Sequence, residues 1–308
     1  MRIGFIGECM AELKKVDGVL SEGFAGDTFN SAVYLKRTFP EFESYFISAV
    51  GADVLSQEMV AFTRSESIDA RFLFTHPEKH LGLYRIYTDD QGERSFTYWR
   101  NDSAAKCFMS LLKPDDISSL EDLDAILFSG ITLAVLHQYE LNEFFSLVNR
   151  LKESGATIVF DINHRPALWK GRDDVLAIYE RAFDLADITL PGVEDFNFLY
   201  GFSTVQEVVR FLAPFKFKQL VIKNGSEAVT LVDEQGNTSQ VTLTPVSNVV
   251  DTTSAGDAFN GVFLGAYLKS NNAYESVIKA SKCAGFVIQH PGAIVDANTY
   301  RLFVRQSL

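Results

Sequence analysis

The residues with the clearest chemical potential lie in segment 251–261, which has the sequence DTTSAGDAFNG. The valine-rich segment 246–250 before it predicts a strand, and apolar residues recur after it at helical spacing. Small residues at this predicted helix start leave backbone N–H groups unpaired and accessible, and a helix N-terminus carries about half a positive charge. The segment therefore predicts an anion site suited to phosphate, with the Asp257 carboxyl in the first turn.

A plainer interpretation is an ordinary helix start, in which Ser254 or Thr253 caps the helix and Asp257 interacts favourably with the helix dipole. That interpretation would suffice for an isolated S-A-G-D sequence. Here residues 251–252 supply a second acidic and hydroxyl pair, and later glycines permit close packing of the helix. These features favour the anion site, although spacing alone does not identify the anion.

The composition limits the classes of function. The chain has 308 residues, of which 47% are hydrophobic and 22% charged, so it can bury a sizeable core and is not a disordered protein. Its net charge is −12, without a basic cluster, which argues against nucleic acid and anionic membranes as partners. An anionic substrate would need a few local arginines to hold it.

The cysteines and histidines do not predict a metal centre or a disulfide framework. The three cysteines, Cys9, Cys107 and Cys283, are odd in number and far apart, and the five histidines lack metal-ligand spacing. The N-terminal residues predict a first strand, not a signal peptide, and no apolar stretch is long enough to span a membrane. We therefore expect a reduced, cytoplasmic protein.

The rest of the chain alternates between predicted strands and helices. Residues 3–7 predict a buried strand, a helix follows from Asn30, and residues 46–51 and 57–65 predict a second strand and helix. Further strands are predicted after about residue 104, at 125–129, 157–161, 188–190, 219–223 and 229–233. Apolar strands separated by helices indicate a mostly parallel sheet.

Two segments depart from this alternation and predict a β-rich lid. Within residues 72–98 the side chains alternate in character around the polar turn 88–93, which is typical of a β-hairpin. Residues 21–29 are Gly-rich and are predicted to be non-helical. We therefore expect one α/β domain over residues 1–308, with a lid from about 10–30 and 69–103 inserted into the body.

Several of these segments resemble the motifs of the PfkB/ribokinase family of sugar kinases. Residues 251–259 resemble its C-terminal signature, and residues 26–30 (GDTFN) resemble its sugar-binding motif, with Ala25 in place of the first glycine. Five further segments resemble bacterial 2-keto-3-deoxygluconate kinases within that family: GECMAEL at 7–13, YWRNDSAAK at 98–106, SGI at 129–131, FDIN-x-RP-x-LW at 160–169 and QHPGAI at 289–294. The motifs span nearly the whole chain in order.

The resemblance implies a ribokinase-like three-layer α/β sandwich with a mostly parallel central sheet and a small β-sheet lid. It implies transfer of phosphate from ATP to the 6-hydroxyl of 2-keto-3-deoxygluconate. Asp257 would accept the proton of that hydroxyl, and backbone N–H groups of Ser254, Ala255, Gly256 and Asp257 would stabilise the transferred phosphoryl group. Because Asp257 lies at a helix N-terminus, we expect its pKa to be low and the proton to move late.

The implied sugar contacts lie in the lid and at its junction with the body. Gly26, Asp27 and Asn30 would bond sugar hydroxyls, whereas a turn followed by an Asn cap is the plainer interpretation of that motif alone. Tyr98 and Arg100 are two residues apart in a predicted strand and therefore face the same side.

Two arginines suit a keto acid because bidentate arginine–carboxylate pairs are strong and geometrically specific. Arg100 and Arg165 would bind the carboxylate, unless they are ordinary surface or ion-paired arginines. Tyr84 and Ile131 also match sugar positions of the subfamily, with packing in the lid and core as the alternative.

The implied nucleotide and metal contacts are less specific. Lys223 and Gly225 resemble the K-x-G of the nucleotide loop, although an ordinary β-turn fits as well, and Asn163 matches a phosphate contact. Cys283 would line the adenine pocket or be a buried thiol. The family's N-x-x-E motif lacks its Asn here, which leaves Glu194 to hold metal-bound water.

The implied cofactors are ATP and Mg²⁺, with a monovalent cation as a further option beside Asp251. The alternatives in function are a kinase of another sugar, such as fructose, and a non-catalytic sugar- or nucleotide-binding regulator. A homo-oligomer formed through the edges of the lid is also expected, because exposed sheet edges are usually covered.

Overall fold

The computed structural model describes residues 1–16, 18–88 and 94–308. This part of the chain contains thirteen strands: β1 (Arg2–Ile6), β2 (Met10–Val16), β3 (Val19–Ala25), β4 (Glu43–Val50), β5 (Leu73–Thr75), β6 (Gly82–Thr88), β7 (Arg94–Trp99), β8 (Ala125–Ser129), β9 (Thr157–Asp161), β10 (Ile188–Thr189), β11 (Gln219–Ile222), β12 (Val229–Asp233) and β13 (Thr238–Val241).

The same residues form twelve α-helices: α1 (Asp27–Thr38), α2 (Val54–Ser65), α3 (Phe108–Leu111), α4 (Pro114–Leu120), α5 (Gly130–Val135), α6 (Leu141–Glu153), α7 (Val175–Leu185), α8 (Val193–Tyr200), α9 (Val205–Leu212), α10 (Ala255–Ser270), α11 (Ala273–Val287) and α12 (Ala297–Ser307). Three short 3-10 helices occur at Ala104–Cys107, Gln138–Glu140 and Pro166–Trp169. None of the described helices is long and apolar enough to cross a membrane.

A nine-stranded sheet forms the centre of the body, in the order β13-β12-β11-β10-β9-β8-β1-β4-β5. The strands from β11 to β5 run parallel, and β12 and β13 complete one edge antiparallel. The parallel strands are apolar on both faces, as β8 illustrates with every residue buried. Helices therefore cover both faces, and the body has three layers.

Two apolar cores lie on opposite faces of this sheet. One contains Phe29 of α1 and Phe263 of α10, and the other contains Phe144 of α6 and Phe183 of α7. Gly261 lets α10 approach α1 closely, because a Cβ at this position would lie 2.1 Å from the backbone oxygen of Ser31. This close packing brings the N-terminal halves of the two helices together.

A separate four-stranded sheet, in the order β3-β2-β6-β7, forms the predicted lid. β6 and β7 pair antiparallel, as the hairpin prediction required. Residues 89–93 of the predicted turn lie outside the described residues. The lid is smaller than predicted, since β5 pairs with β4 in the main sheet and α1 already begins at Asp27. The predicted non-helical structure through residue 29 is therefore wrong at its end.

The predicted strands of the body are confirmed with small shifts in their bounds, and one prediction is wrong. Residues 246–250 form no strand, and Val249 and Val250 are exposed. β-Branched residues favour a strand only when a neighbouring strand is available to pair with, and β13 already closes this edge. β13 itself was not predicted.

Candidate active site

The candidate site lies at the carboxyl ends of the parallel strands, where α/β sheets usually bind ligands. Ser129 ends β8, Asp161 ends β9, and Lys223 follows β11. The N-termini of α1 and α10 point to the same edge. The strand ends thus place polar groups from distant parts of the sequence around one space.

Asp27, the first residue of α1, is the centre of one hydrogen-bond cluster. Its Oδ2 accepts bonds from Ser129 Oγ at 2.5 Å and from Asn163 Nδ2 at 2.9 Å. Burial raises the pKa of the Asp27 carboxyl, and the bond from Ser129 opposes that rise. The structure thus places Asp27 and Asn163 in contact, although the sequence assigned them to sugar and phosphate respectively.

Asn30 connects α1 to α10. Its Nδ2 donates to Asp257 Oδ2 at 2.9 Å, and its Oδ1 accepts from the Gly26 amide at 3.4 Å. Gly26 is required for space, because a Cβ there would lie 2.0 Å from the backbone oxygen of Glu8. The predicted residues Gly26, Asn30 and Asp257 are therefore neighbours.

The pKa of Asp257 differs from the expectation. Burial, followed by the nearby carboxyl of Asp27, raises it to about 7, against the lowering effects of the Asn30 bond and the Arg165 charge. The predicted low pKa is wrong, because desolvation of the Asp257 carboxyl and the nearby Asp27 carboxyl outweigh the effect of the helix N-terminus. An aspartate with this pKa is a competent proton acceptor near neutral pH.

A pH profile tests this conclusion. We expect kcat/KM to fall as the pH drops below about 7, because protonated Asp257 cannot accept a proton. Since Asp27 and Asp257 interact, the measured pKa belongs to the pair. Asn30→Ala removes a bond that lowers the Asp257 pKa and should move the acid limb to higher pH. A flat profile down to pH values near the ordinary aspartate pKa, about 4, would contradict this assignment.

The start of α10 has the open geometry of an anion site. Ser254 precedes the helix with φ of 64°, in the left-handed region. Gly256 in the first turn is exposed, and a Cβ there would meet nothing within 4 Å. The first N–H groups of an α-helix have no acceptors within the helix, so this turn offers donors and free space together.

Ser254 occupies a left-handed conformation that favours glycine, and the structure indicates what that costs. A left-handed conformation is unfavourable for Ser, and its buried Oγ has no hydrogen-bond partner among the described residues. We expect Ser254→Gly to raise the free energy of unfolding by about 0.5–1 kcal/mol in urea titrations. Ser146→Gly, at an exposed position inside α6, should lower it by a similar amount. Equal losses in both variants would refute this strain.

Asn163 is the second strained residue of the site, with φ of 35°. The turn that carries it is held by Asp195, whose Oδ1 accepts the His164 amide at 2.8 Å. Backbone strain of this kind persists where surrounding contacts over-determine the conformation, and it concentrates at functional sites.

The lid contributes a second polar cluster. The Arg100 guanidinium forms a buried ion pair with Glu8 and lies 5.9 Å from the ring centre of Tyr98. Tyr84 is buried and donates its hydroxyl to Glu12, and it stacks on Tyr98 at 5.8 Å. Arg100 is thus already paired with a carboxylate of the chain.

Arg165 and Ile131 lie at the body side of the site. Arg165 is exposed, and its Nη1 donates to the His164 backbone oxygen at 3.0 Å. Its charge lowers the pKa of Asp257. Ile131 is half-buried in the first turn of α5, directly after Ser129.

The side chains of two predicted nucleotide residues are engaged in other contacts or buried in this conformation. Lys223 Nζ lies 3.1 Å from Asp161 Oδ1 and donates to Asn260 Oδ1 at 3.1 Å. Cys283 is completely buried in the core, and burial raises the pKa of its thiol to about 12. The plainer interpretation of Cys283, a buried thiol, agrees with its position.

The remaining predicted contacts are accessible. Gly225 has a φ of 56° with open space around its Cα, as a turn near a ligand requires. Glu194 is exposed in the first turn of α8, beside buried Asp195. The described residues contain no group of three or more His, Cys, Asp and Glu side chains arranged to hold a metal ion.

Sequence reasoning missed three polar residues of the site. Ser129 bonds Asp27, and Asp161 and Asn260 bond Lys223. Ser129 and Asp161 were detectable, because each ends a predicted strand at the edge where parallel strands place ligands. Asn260 lies one helical turn after Asp257, and that spacing was the available signal.

Comparisons with known proteins agree with this fold. The chain matches the pfkB family carbohydrate kinase over residues 3–299. The 2-dehydro-3-deoxygluconokinases of Haemophilus influenzae and Dickeya dadantii are each 35% identical to it, over 96% and 95% of this chain and 96% of each relative. A fructokinase structure from Vibrio cholerae, with fructose, ADP and calcium bound, superposes with a TM-score of 0.84 at 24% identity, covering 98% of both chains.

The mostly parallel nine-stranded sheet and the separate four-stranded lid define an α/β fold of the sugar-kinase class. The chain belongs to the pfkB family of carbohydrate kinases.

Proposed function

We propose that this protein transfers phosphate from ATP to the 6-hydroxyl of 2-keto-3-deoxygluconate, also called 2-dehydro-3-deoxygluconate. The observation that carries the proposal is the Asp257 carboxyl at the open start of α10, which accepts a bond from Asn30 and whose pKa the exposed cation of Arg165 lowers. The relatives named 2-dehydro-3-deoxygluconokinase support this choice of substrate over a neutral sugar.

In this proposal each group of the site has a separate task. Asp257 accepts the proton of the attacking hydroxyl, and the amides of residues 254–257 stabilise the charge on the transferred phosphoryl group. Asp27 and Asn30 orient the sugar hydroxyls from the start of α1. The lid excludes water, which limits hydrolysis of ATP.

The carboxylate of the keto acid is assigned to Arg165 first. Arg165 is exposed and has no ion-pair partner among the described residues, whereas Arg100 is already paired with Glu8. Arg100 would therefore act from the lid by holding Tyr98 and Glu8 in place, and would share its guanidinium with the substrate only on closure.

The nucleotide and metal fit the residues that the structure offers. The exposed start of α10 has donors and room for phosphate oxygens, and Gly225 leaves open space for a nucleotide. Mg²⁺ prefers phosphate oxygens and water to an all-protein cage, and when bound it would neutralise phosphate charge. Glu194, exposed in the first turn of α8, would accept from metal-bound water. A monovalent cation beside Asp251 stays a prediction, and turnover measured in potassium, sodium and choline salts tests it.

We also propose that the lid forms a homo-oligomer interface. Its strands expose large apolar side chains, namely Val19, Leu20, Tyr87, Phe96, Tyr98 and Trp99. Light scattering at micromolar concentration should give a multiple of the 34.4 kDa chain mass. Leu20→Lys should reduce that mass, and Leu302→Lys, at an exposed position on α12, should not. A wild-type monomer would contradict the proposal.

ADP release by the purified protein with Mg-ATP tests the function. The panel contains 2-keto-3-deoxygluconate, its galactonate epimer, fructose, ribose and no sugar. Turnover selective for the keto acids supports the proposal. Turnover on fructose alone would retain the fold and the chemistry but replace the substrate. Sugar binding without turnover would instead indicate a non-catalytic regulator.

A further inference from the structure

A trio of one lysine, one aspartate and one asparagine lies next to the start of α10. Lys223 Nζ is 3.1 Å from Asp161 Oδ1 and 3.1 Å from Asn260 Oδ1, and Asn260 Nδ2 donates to Asp161 Oδ2 at 2.7 Å. The three side chains form a closed ring of contacts. The Lys223 and Asp161 side chains are 19% and 7% exposed, and Asn260 is 1% exposed.

Each member of this trio belongs to a different element of the site. Asp161 ends β9 and is followed two residues later by the strained Asn163. Asn260 lies on α10 one turn after Asp257, and Lys223 follows β11. The trio therefore ties the turn that carries Asn163 and Arg165 to the helix that carries Asp257.

The backbone of Lys223 is held as firmly as its side chain. Its amide donates to the Pro191 oxygen at 2.8 Å, and its own oxygen accepts from the Val193 amide at 2.9 Å. A lysine fixed in this way points its charge into the protein. An ammonium group in a buried pair costs much more to leave unpaired than to keep paired.

We propose that Lys223 is a positioning residue, which acts as the buried counter-charge that fixes Asp161 and Asn260, and not a ligand of the nucleotide. Through those two residues it sets the distance between Asp257 and the 161–165 turn. The inference rests on the proposed function only in using turnover as one readout.

The first test separates positioning from nucleotide binding. Lys223→Met keeps the length of the side chain and removes the charge. We expect kcat to fall about 10- to 100-fold at saturating ATP, because small misplacements of reacting groups are costly. The KM for ATP should change less than about twofold, since positioning acts on the transition state and not on ATP affinity. Lys218→Met, at an exposed lysine before β11, is the matched control and should change neither.

The second test is a double-mutant cycle with Asp161→Asn, read by urea unfolding midpoints without any ligand. If the pair is coupled, the double variant loses less than the two single variants together. Additive losses, or a Lys223→Met variant with a raised KM for ATP and unchanged kcat, would overturn the proposal. Because the unfolding cycle needs no substrate, it still tests the role of Lys223 even when the wild type phosphorylates no keto acid. If Lys223→Met does not fold, Lys223→Gln, which removes the charge and keeps a hydrogen-bond donor, completes the cycle.

Discussion

Asp257→Asn is expected to lower kcat by about 10²- to 10⁴-fold, the range that a general base contributes. The amide cannot accept the proton of the attacking hydroxyl. The change is nearly isosteric, and the Asn30 Nδ2 donor that lies 2.9 Å from Asp257 Oδ2 can still bond to the new side-chain oxygen. Initial rates at saturating sugar and ATP provide the measurement.

The stability of the same variant distinguishes catalysis from misfolding. Burial and the Asp27 carboxyl both disfavour the charged form of Asp257. At a pH above neutral, where Asp257 of the wild type is charged, the neutral asparagine should therefore leave the unfolding midpoint unchanged or raise it. Asp184→Asn, on the exposed face of α7, is the matched control for both readouts. Full turnover by Asp257→Asn would contradict the role of this carboxyl as proton acceptor.

Arg165→Met should lower kcat/KM for keto acids about 10- to 100-fold and spare any turnover of neutral sugars. A charge-assisted bond to a carboxylate is stronger than a neutral one, and the methionine leaves the substrate carboxylate without a partner. Arg301→Met, at an exposed position on α12, controls for the loss of one positive charge.

The choice of pH matters for this comparison. Arg165 also lowers the pKa of Asp257, so its removal raises that pKa and moves the acid limb upward for every sugar. Rates are therefore compared well above the limb, where Asp257 is ionised in both proteins. An equal loss for keto acids and fructose under those conditions would remove Arg165 from carboxylate recognition.

Local features of the sequence predicted much of the fold. The small residues at 254–256 and the apolar spacing after them indicated α10 and its open start, since both signals lie within one helix. The strands at 125–129 and 157–161 were found because their apolar runs are short and bounded by polar residues. The valines of residues 246–250 also predicted a strand, but this segment has no strand partner in the sheet.

The features that escaped prediction depend on distant partners. The direction of the Lys223 side chain is set by Asp161 and Asn260, which are 62 and 37 residues away. The pKa of Asp257 is set by burial and by Asp27, and its bond partner Asn30 is 227 residues away. The residues that adjoin Lys223 and Asp257 in the sequence do not identify such distant neighbours.

The position of the phosphate in the product tests the central claim most directly. The purified protein is incubated with Mg-ATP and 2-keto-3-deoxygluconate, and phosphorus–proton correlation NMR identifies the carbon that bears the new phosphate. We expect coupling to the two protons of C6, in stoichiometric balance with ADP. Phosphate on another oxygen of the sugar, or free inorganic phosphate in place of a sugar ester, would contradict it.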